Sequence, residues 1–153
     1  AEIQQLKNLK KCLKLDNKIG TCHSSGFSSN PSYRVQFGNV QLYRWLESIG
    51  LSSKKTFTIG VLDIPDNVFP DFLRGHLDGD GCITSYIDTY NTSKKPQYKY
   101  RRIFIRFLSS SETHILWLQN QTNRLFGVKG AIHQKKSRSG KTLWILKFMK
   151  KKA

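Results

Sequence analysis

Apolar side chains recur along this chain with two periods, about 3.6 and 2, and the switches between them mark out helices and strands. Residues 3–15 place Ile3, Leu6, Leu9 and Leu13 at helical spacing, with lysines at 7, 10, 11 and 14 on the other side, which predicts an amphipathic helix. Residues 18–24 and 32–37 read as short strands joined by a turn rich in Ser, Gly, Asn and Pro. In the second strand Tyr33, Val35 and Phe37 share one face, and Arg34 and Gln36 the other. Asn39 is placed to cap a helix through Leu42, Trp45, Leu46 and Ile49, which Gly50 would end. Pro65 and Pro70 flank the start of a further helix that carries Phe69, Phe72, Leu73 and Leu77 and stops near Gly81. Strands at 82–90 and 98–108 follow, then a helix capped near Ser111, with Ile115, Leu118, Thr122 and Leu125 on one stripe and Gly127 at its end. Strands at 131–135 and 141–148 complete an α+β pattern.

The first and last helices match each other at a fixed offset. Ile3 aligns with Ile115, Leu6 with Leu118 and Leu13 with Leu125, each pair 112 residues apart. In the following strands Tyr33, Val35 and Phe37 align with Trp144, Leu146 and Phe148, each 111 apart. A weak internal repeat accounts for both offsets, and it implies a chain that starts and stops in mid-unit. The expectation is therefore a fragment, or a protein that works with a second copy of itself.

Composition narrows the classes. Of 153 residues, 26 are Lys or Arg and 10 are Asp or Glu, a formal charge of +16. The 38% of hydrophobic residues is enough for a core, which argues against a disordered basic tail. With no long apolar run and no leader-like N-terminus, the expectation is an intracellular chain with no membrane partner, in cytoplasm, nucleoid or organelle matrix. Cys12, Cys22 and Cys82 form no CxxC pair, so reduced thiols are expected. The surplus of positive charge points to a polyanion, nucleic acid first. Its distribution is uneven, because Asp63, Asp66, Asp71, Asp78 and Asp80 crowd into one stretch where Arg74 is the only basic side chain.

That acidic stretch ends in Leu73-Arg74-Gly75-His76-Leu77-Asp78-Gly79-Asp80-Gly81. Gly75 and Gly79 stand one helical turn apart, although each costs a helix about 1 kcal/mol relative to Ala. Such spacing suits a close approach of two backbones. A calcium loop does not fit, since aligning Gly81 with the loop glycine puts Ile87 where a carboxylate is required. Neither GxxxxGK[ST] nor GxGxxG occurs. A plain turn remains the bland alternative.

Residues 73–81 resemble the LAGLIDADG motif of homing endonucleases and intron maturases, matching at Leu73, Gly75, Asp78, Asp80 and Gly81 and departing at Arg74, His76, Leu77 and Gly79. The resemblance implies αββαββα units whose antiparallel sheets form a DNA-binding saddle with helices packed on the other face. Residues 1–60 would be the C-terminal part of a first repeat, and 61–153 a second repeat that carries the motif helix (73–81) and lacks its last helix. Leu73, Gly75 and Gly79 would pack two motif helices together. Asp80, with Gly79 beside it, would hold Mg²⁺ (or another divalent cation) at the scissile phosphate, while Asp78 would be a helix-terminus residue. Lys55, ahead of Lys54, would stabilise the transition state, and Ser109 to Ser111 occupy the place of a water-orienting residue. Capping is the alternative for Ser111.

A nucleic-acid face follows from strand alternation alone. Arg102, Phe104 and Arg106 alternate with Ile103, Ile105 and Phe107, so one face carries guanidiniums able to reach phosphates or base edges. Thr84 and Tyr86 share a face, as do Arg34 and Gln36, and Lys141 goes with Lys147. Tyr100, Lys135, Lys136 and Arg138 join the expected nucleic-acid contacts, with Lys150, Lys151 and Lys152 as a nonspecific tail. The leading reading is a site-specific, metal-dependent double-strand DNA endonuclease. A single motif leaves open a non-cleaving binder on the same scaffold, an intron maturase on RNA or a DNA-binding regulator. The expected partners are thus double-stranded DNA, intron RNA in the second case, and a homodimer mate or a missing N-terminal repeat.

Overall fold

In a computed structural model that describes residues 3–22, 32–53, 55–90, 92–97, 99–136 and 140–149, the chain is α+β with antiparallel sheets. It divides into two compact units, residues 1–43 and 44–153, whereas the repeat boundary expected from sequence lies at 60/61.

The first unit contains α1 (Ile3–Leu13), then β1 (Ile19–Cys22) and β2 (Ser32–Val35), paired antiparallel from Ile19↔Val35 to Cys22↔Ser32. Asn17 Nδ2 donates to the Gln36 carbonyl at 2.9 Å and ties the chain before β1 to the residue after β2. Tyr33, Val35 and Phe37 are half-buried, while Arg34 and Gln36 are exposed, following the alternation. The division between the units falls within α2 (Val40–Ser48), whose start is fixed by the Asn39 side chain accepting from the Leu42 amide at 2.9 Å.

The second unit continues with α3 (Phe69–Asp80), β3 (Gly81–Asp88), β4 (Tyr100–Ser109), α4 (Glu112–Phe126), β5 (Ala131–Lys136) and β6 (Thr142–Met149). Its four strands form one antiparallel sheet in the order β3-β4-β6-β5, with α3 and α4 against one face. Local chemistry sets the helix ends. Ser111 caps α4 by accepting from the His114 amide, and Gly127 closes it in the left-handed conformation at φ 66°. Pro70 opens α3, where its missing N–H costs nothing.

The core lies between helices and sheet. Leu62, Phe69, Phe107, Ile115, Trp117, Leu118 and Leu146 are buried, and Phe72, Leu73, Leu77, Ile105, Trp144 and Phe148 pack on them. Phe69 and Phe72 meet Trp117 edge-on, with ring centres 5.9 and 5.7 Å away. The pairings Ile83↔Ile105, Gly81↔Phe107, Phe107↔Leu146 and Ile132↔Leu146 put these apolar residues on the helix side. Cys82, Thr84, Tyr86, Arg102, Phe104, Arg106, Lys147 and Lys135 consequently share the open face. Each predicted element exists among the described residues, with ends shifted by a residue or two, apart from the end expected at residue 24, which lies outside them. Tyr90 falls beyond β3, its amide donating to the Asp88 carboxylate.

Candidate functional site

Helix α3 runs into β3 with no loop between. A Cβ on Gly81 would come within 2.5 Å of the Leu77 side chain and 2.6 Å of its carbonyl oxygen, so glycine is required at the junction. Asp78 and Asp80 are exposed in the last turn of α3, which holds no basic residue. The negative end of the helix dipole disfavours carboxylates there. Two other acids of the stretch fare differently. Asp66 is bound by the Arg124 guanidinium, which holds its carboxyl below the usual range, and Asp71 pairs with Arg74 at 3.3 Å. Among the described residues, Asp78 and Asp80 have no cationic partner.

Asp80 opens onto a cleft of about 450 Å³, lined also by Lys55, Thr56, Ile59, His76, Ser109, Ser110 and His114. The structure thus brings together Asp80, Lys55 and Ser109, three of the residues expected at a catalytic centre. Lys55 is held by its own turn, its carbonyl accepting from the Thr58 and Ile59 amides. Ser111 is separate from the cleft group, since it is buried, caps α4 and donates to the Ile59 carbonyl. Lys54 lies outside the described residues.

His76 and His114 line the same cleft and were not among the residues expected there. His114 is buried, with Nδ1 at 3.0 Å from the Gly60 carbonyl and Nε2 at 3.3 Å from His76 Nε2. Burial holds both rings below the ordinary histidine pKa. For His76 the neighbouring His114 acts in the same direction, and the charge of Asp80 opposes it. One signal was available, because His114 precedes Ile115 on the buried stripe of α4 while His76 is a polar departure within the α3 motif.

Gly75 and Gly79 point the other way. A Cβ on either meets nothing within 4 Å, so no contact inside the described chain requires glycine there. Leu73, grouped with them from sequence, packs against the core cluster instead.

The open sheet face carries the expected basic side chains, several already engaged. Arg106 donates to the Thr84 hydroxyl at 2.6 Å and the Cys82 thiol at 3.4 Å, leaving its buried Nε without a partner. The Thr84 hydroxyl, then Arg106, holds the Cys82 thiol below its ordinary pKa. Arg102 pairs with Asp88, whose carboxyl is lowered first by the Tyr90 amide and then by Arg102. Tyr100 faces Asp88 across the strands. Phe104 is only 8% exposed, with Tyr86 stacked on it and the Lys147 ammonium 3.9 Å from its ring centre. Lys141 precedes β6, its ammonium 5.1 Å from the ring centre of Phe57. Register separates the adjacent lysines of β5: Lys135 pairs with Leu143 on the open face, and Lys136 with Thr142 on the helix side. Arg34 and Gln36 belong to the first unit, and Arg138 lies outside the described residues, as do Lys150, Lys151 and Lys152.

Cys12 and Cys82 are free thiols. Among the described residues no three His, Cys, Asp or Glu side chains converge on a metal position, and no helix is long and apolar enough to cross a membrane. No protein-family model matches the chain, and no curated protein matches it either.

Proposed function

We propose that this chain is a divalent-metal-dependent, site-specific DNA endonuclease of the LAGLIDADG type, acting on double-stranded DNA. The carrying observation is Asp80: an exposed, unpaired carboxylate beside Asp78 at the negative end of α3, opening onto a cleft with Lys55 and next to a sheet with a basic open face. Cations relieve such a placement, and phosphate provides no reason for it unless a cation intervenes. The donor set fits magnesium, which is commonly held by one or two carboxylates together with substrate phosphate oxygens and water.

Magnesium bound at Asp80 would supply Lewis-acid polarisation of the scissile phosphate. Lys55 places a positive charge where the phosphoryl oxygens gain negative charge during attack. The Ser109 hydroxyl accepts from the Ser111 amide at 3.1 Å, which orients it in the cleft to position the attacking water. Arg102, Arg106 and Lys135 on the open face hold the duplex, through phosphate contacts that fix its register and base-edge contacts that select sequence.

A double-strand cut needs two acidic centres, and this chain has one such motif. The bare Gly75 and Gly79 face of α3 and the uncovered Ile83, Ile87 and Ile103 support a second motif-bearing unit there, from another copy or a further repeat. The single motif also sustains the second reading, a non-cleaving nucleic-acid binder: a maturase on intron RNA or a DNA-binding regulator. Incubation with a randomised duplex library and Mg²⁺ decides between them. Cleavage by the wild type that disappears in Asp80→Asn, with binding retained, is the expected result. Binding without cleavage by either protein would overturn the nuclease reading in favour of the second.

A further inference from the structure

The imidazoles of His76 and His114 face each other Nε2 to Nε2 at the wall of the cleft. The Gly60 carbonyl can only accept, so His114 Nδ1 carries the proton, and Nε2 of the neutral ring presents a lone pair to His76. A backbone carbonyl that fixes the remote nitrogen in this way is the usual support of a metal-binding histidine. The two Nε2 atoms are 3.3 Å apart. A proton on His76 Nε2 makes this contact a hydrogen bond between the rings, whereas the other His76 tautomer turns a second lone pair toward that of His114. Two nitrogens bound to one tetrahedral ion at about 2.0–2.1 Å stand about 3.3–3.4 Å apart, and the same triangle sets their ring centres about 5.2 Å apart. The ring centres here are separated by 5.3 Å, and the rings are inclined by 54° rather than stacked.

We infer that His76 and His114 form a two-imidazole site for a borderline divalent transition ion, zinc or cobalt(II), with its remaining two positions open to the cleft. Imidazole selects such ions, whereas magnesium prefers oxygen donors, so the pair is distinct from a magnesium position at Asp80. The site does not depend on the nuclease reading. Burial that keeps both rings neutral leaves their lone pairs available near neutrality. Both histidines line the cleft, which gives the ion a route in, and water or a substrate oxygen can complete its shell.

Thermal unfolding with added zinc, together with visible absorption after cobalt(II) addition, tests the site. Zinc is expected to raise the unfolding temperature by several degrees, and cobalt to give the intense bands of a four-coordinate ion. His133→Gln retains both responses, and His76→Phe, which places an aromatic ring against Phe72 and Phe107, loses both. Should His76→Phe fail to fold, His76→Gln is read in its place and is expected to behave likewise. An absent zinc shift, pale six-coordinate cobalt, or equal responses in the His76 variant would overturn the site. Asp80→Asn keeps the cobalt bands whether or not it abolishes cleavage, so this test and that of the nuclease reading fail separately.

Discussion

His114 concentrates several of the physical choices made by single residues in this molecule. Its ring lies against Trp117 with centres 5.3 Å apart, one nitrogen engages the Gly60 carbonyl, and the other faces His76. Both histidines have folded-state pKa values depressed below 6.5. The unfolded chain therefore binds more protons than the folded one below that pH, and stability falls as pH drops through about 6.5 toward the folded values. Each proton taken up on unfolding contributes a slope of up to about 1.4 kcal/mol per pH unit. Metal-free denaturant unfolding between pH 7 and 5 is expected to show this loss, with a smaller slope in His76→Gln; an unchanged slope would argue against the pair as its source. Asp80 and Lys55, in the same cleft, were legible in the sequence because a motif and a loop position single them out. The histidine pair was not, since it exists only where α3 and α4 come together from positions 38 residues apart.

At the scale of elements, helices and strands were readable because their ends are decided locally. Asn39, Ser111 and Gly127 each act within a few residues of themselves, and each stands where its chemistry predicts. Register is not local: only the pairing of β5 with β6 sends Lys135 and Lys136 to opposite faces. Leu73 shows the same limit, for helical spacing alone does not say which neighbour a side chain will meet. The glycines of α3 yield a sharper expectation. Nothing in the described chain lies near their missing side chains, so Gly75→Ala and Gly79→Ala should each stabilise the helix by up to about 1 kcal/mol. If that face seats a second motif helix, the same substitutions weaken self-association and cleavage. Unfolding midpoints and solution sizing of the two variants together check this, and a gain in stability with undiminished association would exclude such a seam.

For the whole molecule, the count of 26 lysines and arginines overstates the cations free to meet a polyanion. Arg124 is occupied by Asp66 and Arg74 by Asp71, while Arg102 shares its charge with Asp88. Binding to duplex DNA should weaken with salt at about 0.9 in log K per log salt for each phosphate contacted. Lys135→Ala is expected to reduce that slope by about 0.9, and Asp88→Asn to tighten nonspecific binding by releasing Arg102. Fluorescence anisotropy across a salt series measures both, and a flat response in the wild type would remove nucleic acid as the partner. The +16 total is plain from composition, whereas which arginines are already spent depends on contacts between residues as far apart as Asp66 and Arg124.

Helix α3 meets β3 at Gly81 with no linking segment and no room for even a methyl group. The junction has no slack. A displacement of the first residues of β3 is therefore passed along the backbone to the last turn of α3, the turn that carries Asp80.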